Sequence, residues 1–161
     1  STLGDVRGAV DAVTSARHTH IFPSVTKSGQ SAIFSTTGNE DCHVILRGGL
    51  ESNFDAVSVQ AGCDLLAKAE LPSRLMVDLS HANSSKDHER QKVAGAAVAE
   101  QLKVSPQNVL GVMVESHLVA GKQLLSDELT YGQSITDACI GWDDTVELLS
   151  ELAAAKAALK G

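Results

Sequence analysis

The sequence predicts an α/β fold in which short parallel strands alternate with helices. Four apolar runs of about four to seven residues each end on polar residues, as strands covered on both faces tend to do. They are HVILRGG (43–49), LMVDLSH (75–81), VLGVMVESH (109–117) and SITDACIGW (134–142). Segments with helical periodicity separate the runs, and such alternation is typical of a parallel sheet with helical connections.

Two elements are predicted before the first of these strands. A helix over about 4–17 is indicated by Val6, Val10 and Val13, which share one face at helical spacing. In IFPSVTKSGQSAIFSTTGN (21–39), β-branched residues flank a Ser28–Gly29 turn, which predicts a β-hairpin. The expected organisation is one partial domain over 1–161, with a helix and connection (1–20), the hairpin (21–39) and four βα units (40–161).

The helices of the βα units have recognisable start signals. Asn53 is the predicted N-cap of the first, Ser84 or Ser85 of the second, and Asp143 and Asp144 open the last. Their inward faces are predicted from apolar residues at 3.6-residue spacing, which are Phe54, Val57, Ala61 and Leu65 in the first helix and Val146, Leu149 and Ala153 in the last.

Composition narrows the possible functions. The net charge of −7 and the 3% aromatic content argue against nucleic-acid binding, which needs a basic face or stacking platforms. No apolar run approaches the roughly 18 residues of a membrane-spanning helix, so no membrane partner is expected. Cys42, Cys63 and Cys139 lack CxxC spacing, which favours reduced thiols in a cytoplasmic protein over a disulfide framework.

One polar residue at the end of each strand stands out: Arg47, His81, Glu115 and Asp137. The carboxyl ends of parallel strands share one rim, where α/β proteins usually place their chemistry. One imidazole and two carboxylates suit Mn²⁺, Fe²⁺, Co²⁺ or Zn²⁺, and a guanidinium suits a phosphate or carboxylate. Structural alternatives stay open at this point, since the carboxylates could cap loops, the histidine could be structural and the arginine could form a salt bridge.

Longer motifs around these residues carry a family resemblance. DCHVILRGG, VDLSHANSS, GVMVESHL and SITDACIGW resemble, in order, the C-terminal motifs of the type I 3-deoxy-D-arabino-heptulosonate-7-phosphate (DAHP) synthases. SVTKSGQSAI resembles the hairpin just upstream of those motifs in the family. The resemblance extends over essentially all 161 residues.

The resemblance implies a (β/α)8 TIM barrel, of which this chain is the C-terminal half, and a specific reaction. The family condenses phosphoenolpyruvate with erythrose 4-phosphate, releases inorganic phosphate and so begins the shikimate pathway to aromatic amino acids. The family's metal ligands fall on His81, Glu115 and Asp137, and its phosphoenolpyruvate-binding arginine falls on Arg47. Catalytic and substrate-binding roles are implied for Arg47, His81 and Asp137.

The resemblance also implies regulation by a feedback effector. Phe22, Ser24 and Phe34 match the lining of the family's aromatic amino acid site, and the serine favours phenylalanine over tyrosine. The alternative, in which Phe22 and Phe34 simply pack the hairpin, stays open.

Half a barrel implies a partner. Ser1 falls just beyond the family's fourth-strand motif, and four βα units cannot close a barrel. Open strand edges invite pairing, so we expect the N-terminal half or another copy as partner, within a homo-oligomer. An alternative function is a catalytically inactive half-barrel that acts only as an association module.

Overall fold

The computed structural model describes residues 4–158. In chain order its elements are α1 (Val6–Ala16), β1 (Ile21–Val25), β2 (Ser31–Ser35), β3 (Ile45–Leu46), α2 (Ala56–Lys68), β4 (Leu75–Asp78), α3 (Arg90–Val104), a 3-10 turn (Pro106–Asn108), β5 (Val109–Met113), β6 (Val119–Lys122), β7 (Gln133–Ser134) and α4 (Trp142–Ala157). None of the helices within 4–158 is long and apolar enough to cross a membrane.

A three-stranded parallel sheet in the order β3-β4-β5 lies at the centre, which confirms the α/β fold with parallel strands. The central strand β4 pairs on both sides, with Met76 opposite Ile45 and Val77 opposite Val112. Leu75 and Val77 are fully buried, because helices cover the sheet. Beyond β5 and β3 the sheet has no further regular strand among residues 4–158.

The fourth predicted strand, 134–142, is wrong in its extent. Only Gln133–Ser134 forms a strand, and it pairs with β6 rather than with the central sheet. Residues 135–137 bend, and beyond the bend Ile140 forms an isolated parallel bridge with Ser116, in the segment after β5. Two polar residues, Thr136 and Asp137, interrupt the apolar run at the bend, so the run is too short to continue a buried strand.

The helix starts differ from the predicted caps. Asp55, not Asn53, caps α2, and its carboxylate accepts hydrogen bonds from the backbone N–H groups of Val57 (3.0 Å) and Ser58 (2.9 Å). Neither Ser84 nor Ser85 caps α3, because a series of turns delays the helix to Arg90. Asp143 and Asp144 lie in the first turn of α4, as predicted.

The inward helix faces were only partly predicted, since Phe54 and Leu65 are partly buried and pack against the core. Val57 is 79% exposed, and α2 instead buries Val59, Gly62, Cys63 and Leu66. In α4 the buried residues are Thr145, Leu148, Leu152 and Ala155, one position away from the predicted stripe. Both helices carry two adjacent apolar stripes, and contact with the sheet and with the neighbouring helix decides which one is buried. In α1 the predicted Val10 and Val13 are buried.

The predicted hairpin is present and stands apart from the central sheet. β1 and β2 pair antiparallel, with Phe22 opposite Phe34 and Ser24 opposite Ala32. Gly29 takes a left-handed φ of 81° in the connecting turn. Ile21 and Ile33 are each 72% exposed, so one face of the hairpin is apolar and uncovered by residues 4–158.

Candidate metal and anion site

His81 lies three residues beyond the end of β4, in a tight turn rather than on the strand. Its φ of 52° is left-handed, a conformation that is uncommon for a residue with a Cβ and that is often found at functional sites. The turn is held by backbone hydrogen bonds from the Lys86 N–H to the His81 carbonyl (2.9 Å) and from the Ser84 N–H to the Ser80 carbonyl (3.2 Å). The strand end therefore sets the position of the turn, and the turn presents the imidazole.

The imidazole has a carboxylate on each side. His81 Nδ1 lies 2.7 Å from Asp78 Oδ2, and His81 Nε2 lies 3.2 Å from Glu115 Oε1. Asp78 is the last residue of β4 and is fully buried, whereas the Glu115 side chain is partly exposed. Since Asp78 occupies Nδ1, the ring nitrogen that points to the cleft is Nε2, beside Glu115.

Glu115 follows β5 and is fixed by a buried amide. Gln91, at the start of α3, donates from Nε2 to the Glu115 carbonyl (3.0 Å) and accepts from the Glu115 N–H at Oε1 (2.9 Å). Gln91 is fully buried, so this two-point contact joins helix α3 to the end of β5. The backbone that carries the carboxylate is therefore rigid although the side chain reaches solvent.

Asp137 completes a group of three potential ligands. One ligand atom from each of His81, Glu115 and Asp137 lies within 4.8 Å of the other two. Asp137 comes from the bend after β7 and is exposed. Cys139, two residues on, is outside the group, and its thiol donates to the Asp137 carbonyl (3.6 Å). Burial raises the pKa of the Cys139 thiol, which favours the neutral form.

Arg47 reaches the same rim from the end of β3. Its side chain is 45% exposed, and its Nε lies 4.0 Å from Asp78 Oδ2. Gly48 follows with a φ of 73°, and a Cβ there would come within 2.9 Å of Ala82 and of Asn83. Only glycine lets the arginine loop lie this close to the turn that carries His81.

Two asparagines join the arginine loop to the histidine turn. Asn53 accepts from the Gly48 N–H at Oδ1 (2.8 Å), and its own N–H donates to Asn83 Oδ1 (2.8 Å). The buried Asn83 amide donates from Nδ2 to the carbonyls of Leu46 (3.1 Å) and Asp78 (2.7 Å). These bonds link the ends of β3 and β4 and so fix the spacing between Arg47 and His81.

The three potential metal ligands and Arg47 line one open cleft of about 490 Å³. The structure therefore brings together Arg47, His81, Glu115 and Asp137, the four residues that the strand-end pattern selected. Sequence reasoning missed Asp78, which lies behind the histidine, and three basic residues on the cleft wall, Lys86, His88 and Lys122. Asp78 ends its strand and could have been found by the same rule, whereas Lys122 lies on β6, which was not predicted.

The donor set fits a divalent cation of the transition series. A neutral imidazole nitrogen and two carboxylates are ligands that Mn²⁺, Fe²⁺, Co²⁺ and Zn²⁺ accept. Within residues 4–158, no lysine or arginine nitrogen lies within 4.0 Å of the Glu115 or Asp137 carboxylate. The two converging carboxylates therefore have no lysine or arginine partner in the described part of the chain, and a bound metal ion would neutralise them.

The hairpin residues also lie together. Phe22 and Phe34 stack with ring centroids 6.1 Å apart and planes inclined by 15°. Ser24 lies two residues from Phe22 on β1 and therefore on the same face of the hairpin. The three residues form a small patch remote in sequence from the cleft.

Comparison with known proteins identifies the family. A model of the DAHP synthetase I family matches residues 5–150. The chain belongs to the DAHP synthetase I family. The structure of a phospho-2-dehydro-3-deoxyheptonate aldolase from Francisella tularensis superimposes with a TM-score of 0.93 at 48% identity, covering 100% of this chain and 48% of that one.

Curated relatives in the DAHP synthetase I family align with nearly the whole of this chain. The Phe-sensitive phospho-2-dehydro-3-deoxyheptonate aldolase of Escherichia coli is 51% identical over 162 residues, which covers 99% of this chain and 46% of the relative. The Trp-sensitive enzyme of Escherichia coli is 44% identical over 156 residues, which covers 96% of this chain and 45% of the relative. The chain thus spans about half the length of the curated relatives that it matches.

Proposed function

We propose that this chain forms the C-terminal half of a (β/α)8 barrel and carries the metal site of a DAHP synthase. The reaction would join phosphoenolpyruvate to erythrose 4-phosphate and release inorganic phosphate, as the first step of the shikimate pathway. The observation that carries the proposal is the convergence of His81, Glu115 and Asp137 beside Arg47 in one cleft. Membership of the DAHP synthetase I family supports it.

Each residue has a role that its position supports. His81 Nε2 and the Glu115 and Asp137 carboxylates would hold the divalent cation, which supplies Lewis-acid polarisation of the aldehyde oxygen of erythrose 4-phosphate. Arg47 would hold the phosphate or carboxylate of phosphoenolpyruvate through its guanidinium fork. The anchored enol ester would then present its third carbon to the aldehyde, and water would add at the second carbon before phosphate leaves.

The proposed activity requires further strands to close the barrel. The described sheet has three parallel strands, and its edges at β3 and β5 have no regular strand partner within 4–158. We propose that the N-terminal half of the family chain, or another copy of this chain, covers these edges in a homo-oligomer. Closure would also place a wall opposite the cleft and exclude water from it.

Complementation tests the proposal. We would co-express this chain with the N-terminal half of the Escherichia coli Phe-sensitive relative and measure DAHP formation with added Co²⁺ or Mn²⁺. The complemented protein should turn over, and His81→Ala should abolish the metal-dependent rate because it removes the only nitrogen of the ligand group. The matched control is His43→Ala, since His43 is exposed and does not line the cleft. Unchanged turnover in His81→Ala would refute the ligand assignment.

An association module without activity is the second candidate function. The uncovered strand edges and the exposed apolar hairpin face favour it. If the chain is such a module, the complementation experiment should give a stable complex, detected by intact mass and size exclusion. That complex should form no DAHP at any metal concentration.

We further propose that phenylalanine binds at the hairpin as a feedback effector, with Phe22, Ser24 and Phe34 in contact with it. The Phe-sensitive relative has higher identity than the Trp-sensitive one, which supports this choice. Calorimetric titration of the complemented protein with phenylalanine, tyrosine and tryptophan tests it, because Phe22→Ala should selectively weaken phenylalanine binding. Equal affinity for all three in both proteins would contradict the assignment. We also propose a cytoplasmic location for the protein.

A further inference from the structure

A buried carboxylate, Asp78, stands behind the proposed site and has no role in the proposed reaction. It is fully buried at the end of β4. Its Oδ1 accepts a hydrogen bond from the Ser80 N–H (2.8 Å), and its Oδ2 lies 2.7 Å from His81 Nδ1 and 4.0 Å from Arg47 Nε. A buried charge is costly unless it is well paired, so these contacts account for its placement.

The two oxygens of this carboxyl group make separate contacts, and in the ionised form both can only accept a hydrogen bond. The proton between Oδ2 and Nδ1 must therefore reside on the imidazole. Glu115 Oε1 also accepts, but it lies farther away, 3.2 Å from Nε2, and among residues 4–158 only the 2.7 Å contact at Nδ1 has hydrogen-bond geometry. A neutral ring therefore carries its proton on Nδ1 and its lone pair on Nε2.

The backbone leaves the ring little freedom to escape this contact. The His81 carbonyl accepts from the Lys86 N–H (2.9 Å) and from Ser84 Oγ (3.2 Å), which holds the left-handed turn. The Asp78 carbonyl accepts from Asn83 Nδ2 (2.7 Å). With both backbones fixed, the orientation of the imidazole is set by the carboxylate.

We propose that Asp78 is a positioning residue: it holds His81 as the Nδ1–H tautomer, so that Nε2 is available as a metal ligand. The claim that Nε2 binds a metal ion rests on the proposed function, whereas the tautomer assignment rests on the hydrogen-bond geometry alone. The same carboxylate stands beside Arg47, so a single buried charge orients the proposed metal ligand and faces the proposed anion anchor.

Asp78→Asn keeps the shape of the side chain but removes its charge and replaces one acceptor oxygen with a donor NH₂ group. The Ser80 N–H requires an acceptor, so the amide oxygen takes that place and the amide NH₂ faces His81 Nδ1. An NH₂ group can only donate, which forces the ring proton onto Nε2 and removes the ligand lone pair. The matched control is Asp87→Asn, in the same loop, where the exposed Asp87 carboxylate lies 4.0 Å from His88 Nδ1.

Two measurements test the proposal. Nitrogen-15 spectra of the histidine rings in the metal-free protein, recorded at increasing pH until the ring is neutral, should show His81 as the Nδ1–H tautomer. Asp78→Asn should convert it to Nε2–H. Calorimetric titration with Co²⁺ alone should show affinity about 10- to 100-fold weaker in Asp78→Asn, as expected when a carboxylate partner of a ligand histidine is lost. Asp87→Asn should match the wild type in both.

The outcomes distinguish this proposal from the proposed function. A wild-type His81 ring with its proton on Nε2 overturns the proposal, even if Asp78→Asn does not fold. Unchanged tautomer and unchanged Co²⁺ affinity in folded Asp78→Asn overturn it as well. The wild type could bind no Co²⁺ while the His81 ring still changes from the Nδ1–H to the Nε2–H tautomer in Asp78→Asn. In that case the proposed metal site and its link to Asp78 are refuted together, and the role of Asp78 in setting the tautomer is upheld.

Discussion

Substitution of Gly48 by alanine should disrupt the contact between the loop that carries Arg47 and the turn that carries His81. Gly48 has a φ of 73°, and an added Cβ would lie 2.9 Å from the Ala82 Cβ, the Asn83 backbone nitrogen and Asn83 Oδ1. A backbone nitrogen cannot rotate away as a side-chain end can. The clash must therefore be relieved by separating the two segments.

The magnitude follows from two contributions. A left-handed residue with a Cβ costs about 1–2 kcal/mol relative to glycine. Displacement of Asn83 strains the buried hydrogen bonds that its amide makes with the Leu46 and Asp78 carbonyls, and loss of one such bond costs about 1–3 kcal/mol. Gly48→Ala should therefore lower the free energy of unfolding by about 2–5 kcal/mol, a large share of the roughly 5–15 kcal/mol of a typical domain.

Urea unfolding followed by circular dichroism measures this cost, and Gly29→Ala is the matched control. Gly29 has a similar φ of 81°, but no atom lies within 4 Å of an added Cβ. Gly29→Ala should cost only the conformational part, about 1–2 kcal/mol. If Gly48→Ala cost no more than Gly29→Ala, the close approach of the two segments would carry no energy and the reasoning would be wrong.

Three further predictions concern the helices and their caps. Gly95→Ala should destabilise the α3–α4 contact by about 1–3 kcal/mol in urea unfolding, because the new Cβ would overlap Leu148, which is itself buried; an unchanged midpoint would contradict this. Asp55→Ala should cost about 1 kcal/mol at pH 7 through loss of the α2 N-cap. The hydrogen bond from the Ser58 hydroxyl lowers the pKa of Asp55 in the folded protein. The carboxylate therefore stabilises the fold above its unfolded pKa of about 3.9, and this stabilisation is lost as the pH falls through the folded pKa. The loss of stability caused by Asp55→Ala should be smaller at pH 3 than at pH 7. Cys63 is buried, and burial raises the pKa of its thiol, so Ellman's reagent should label Cys63 only at the rate of unfolding, and rapid labelling in the folded protein would contradict its placement.

The sequence was sufficient to predict four residues of the cleft because one topological rule covers all four. Parallel strands align their carboxyl ends, so polar residues that follow successive strands meet at one rim. His81 and Glu115 follow β4 and β5, and Arg47 follows β3, as the rule requires. Asp137 meets them although its predicted strand is reduced to β7 and isolated bridges at Cys139 and Ile140, since the elements on both sides bring the bend between them to the rim.

Caps and turns were less predictable because their partners are distant in the sequence. Asn53 and Asp55 are both residue types that favour N-cap positions. Asn53 bonds instead to Gly48 and to Asn83, thirty residues away, which leaves Asp55 to cap α2. The left-handed turn at His81 likewise depends on bonds among residues 80–86, which local propensity does not disclose.

The four residues of the cleft differ in how firmly this chain holds them, and the difference follows the layers of the fold. His81 and Glu115 are fixed from behind by fully buried side chains, Asp78 and Gln91. Arg47 and the exposed Asp137 are held less firmly, since Arg47 meets Asp78 only at 4.0 Å and Asp137 lies in a bend. The contacts of Asp78 and Gln91 therefore pre-organise His81 and Glu115. Arg47 and Asp137 retain freedom to adjust to an anion, a cation or a covering chain. Under the proposed function, this arrangement separates a rigid metal-facing side of the cleft from an adaptable substrate-facing side.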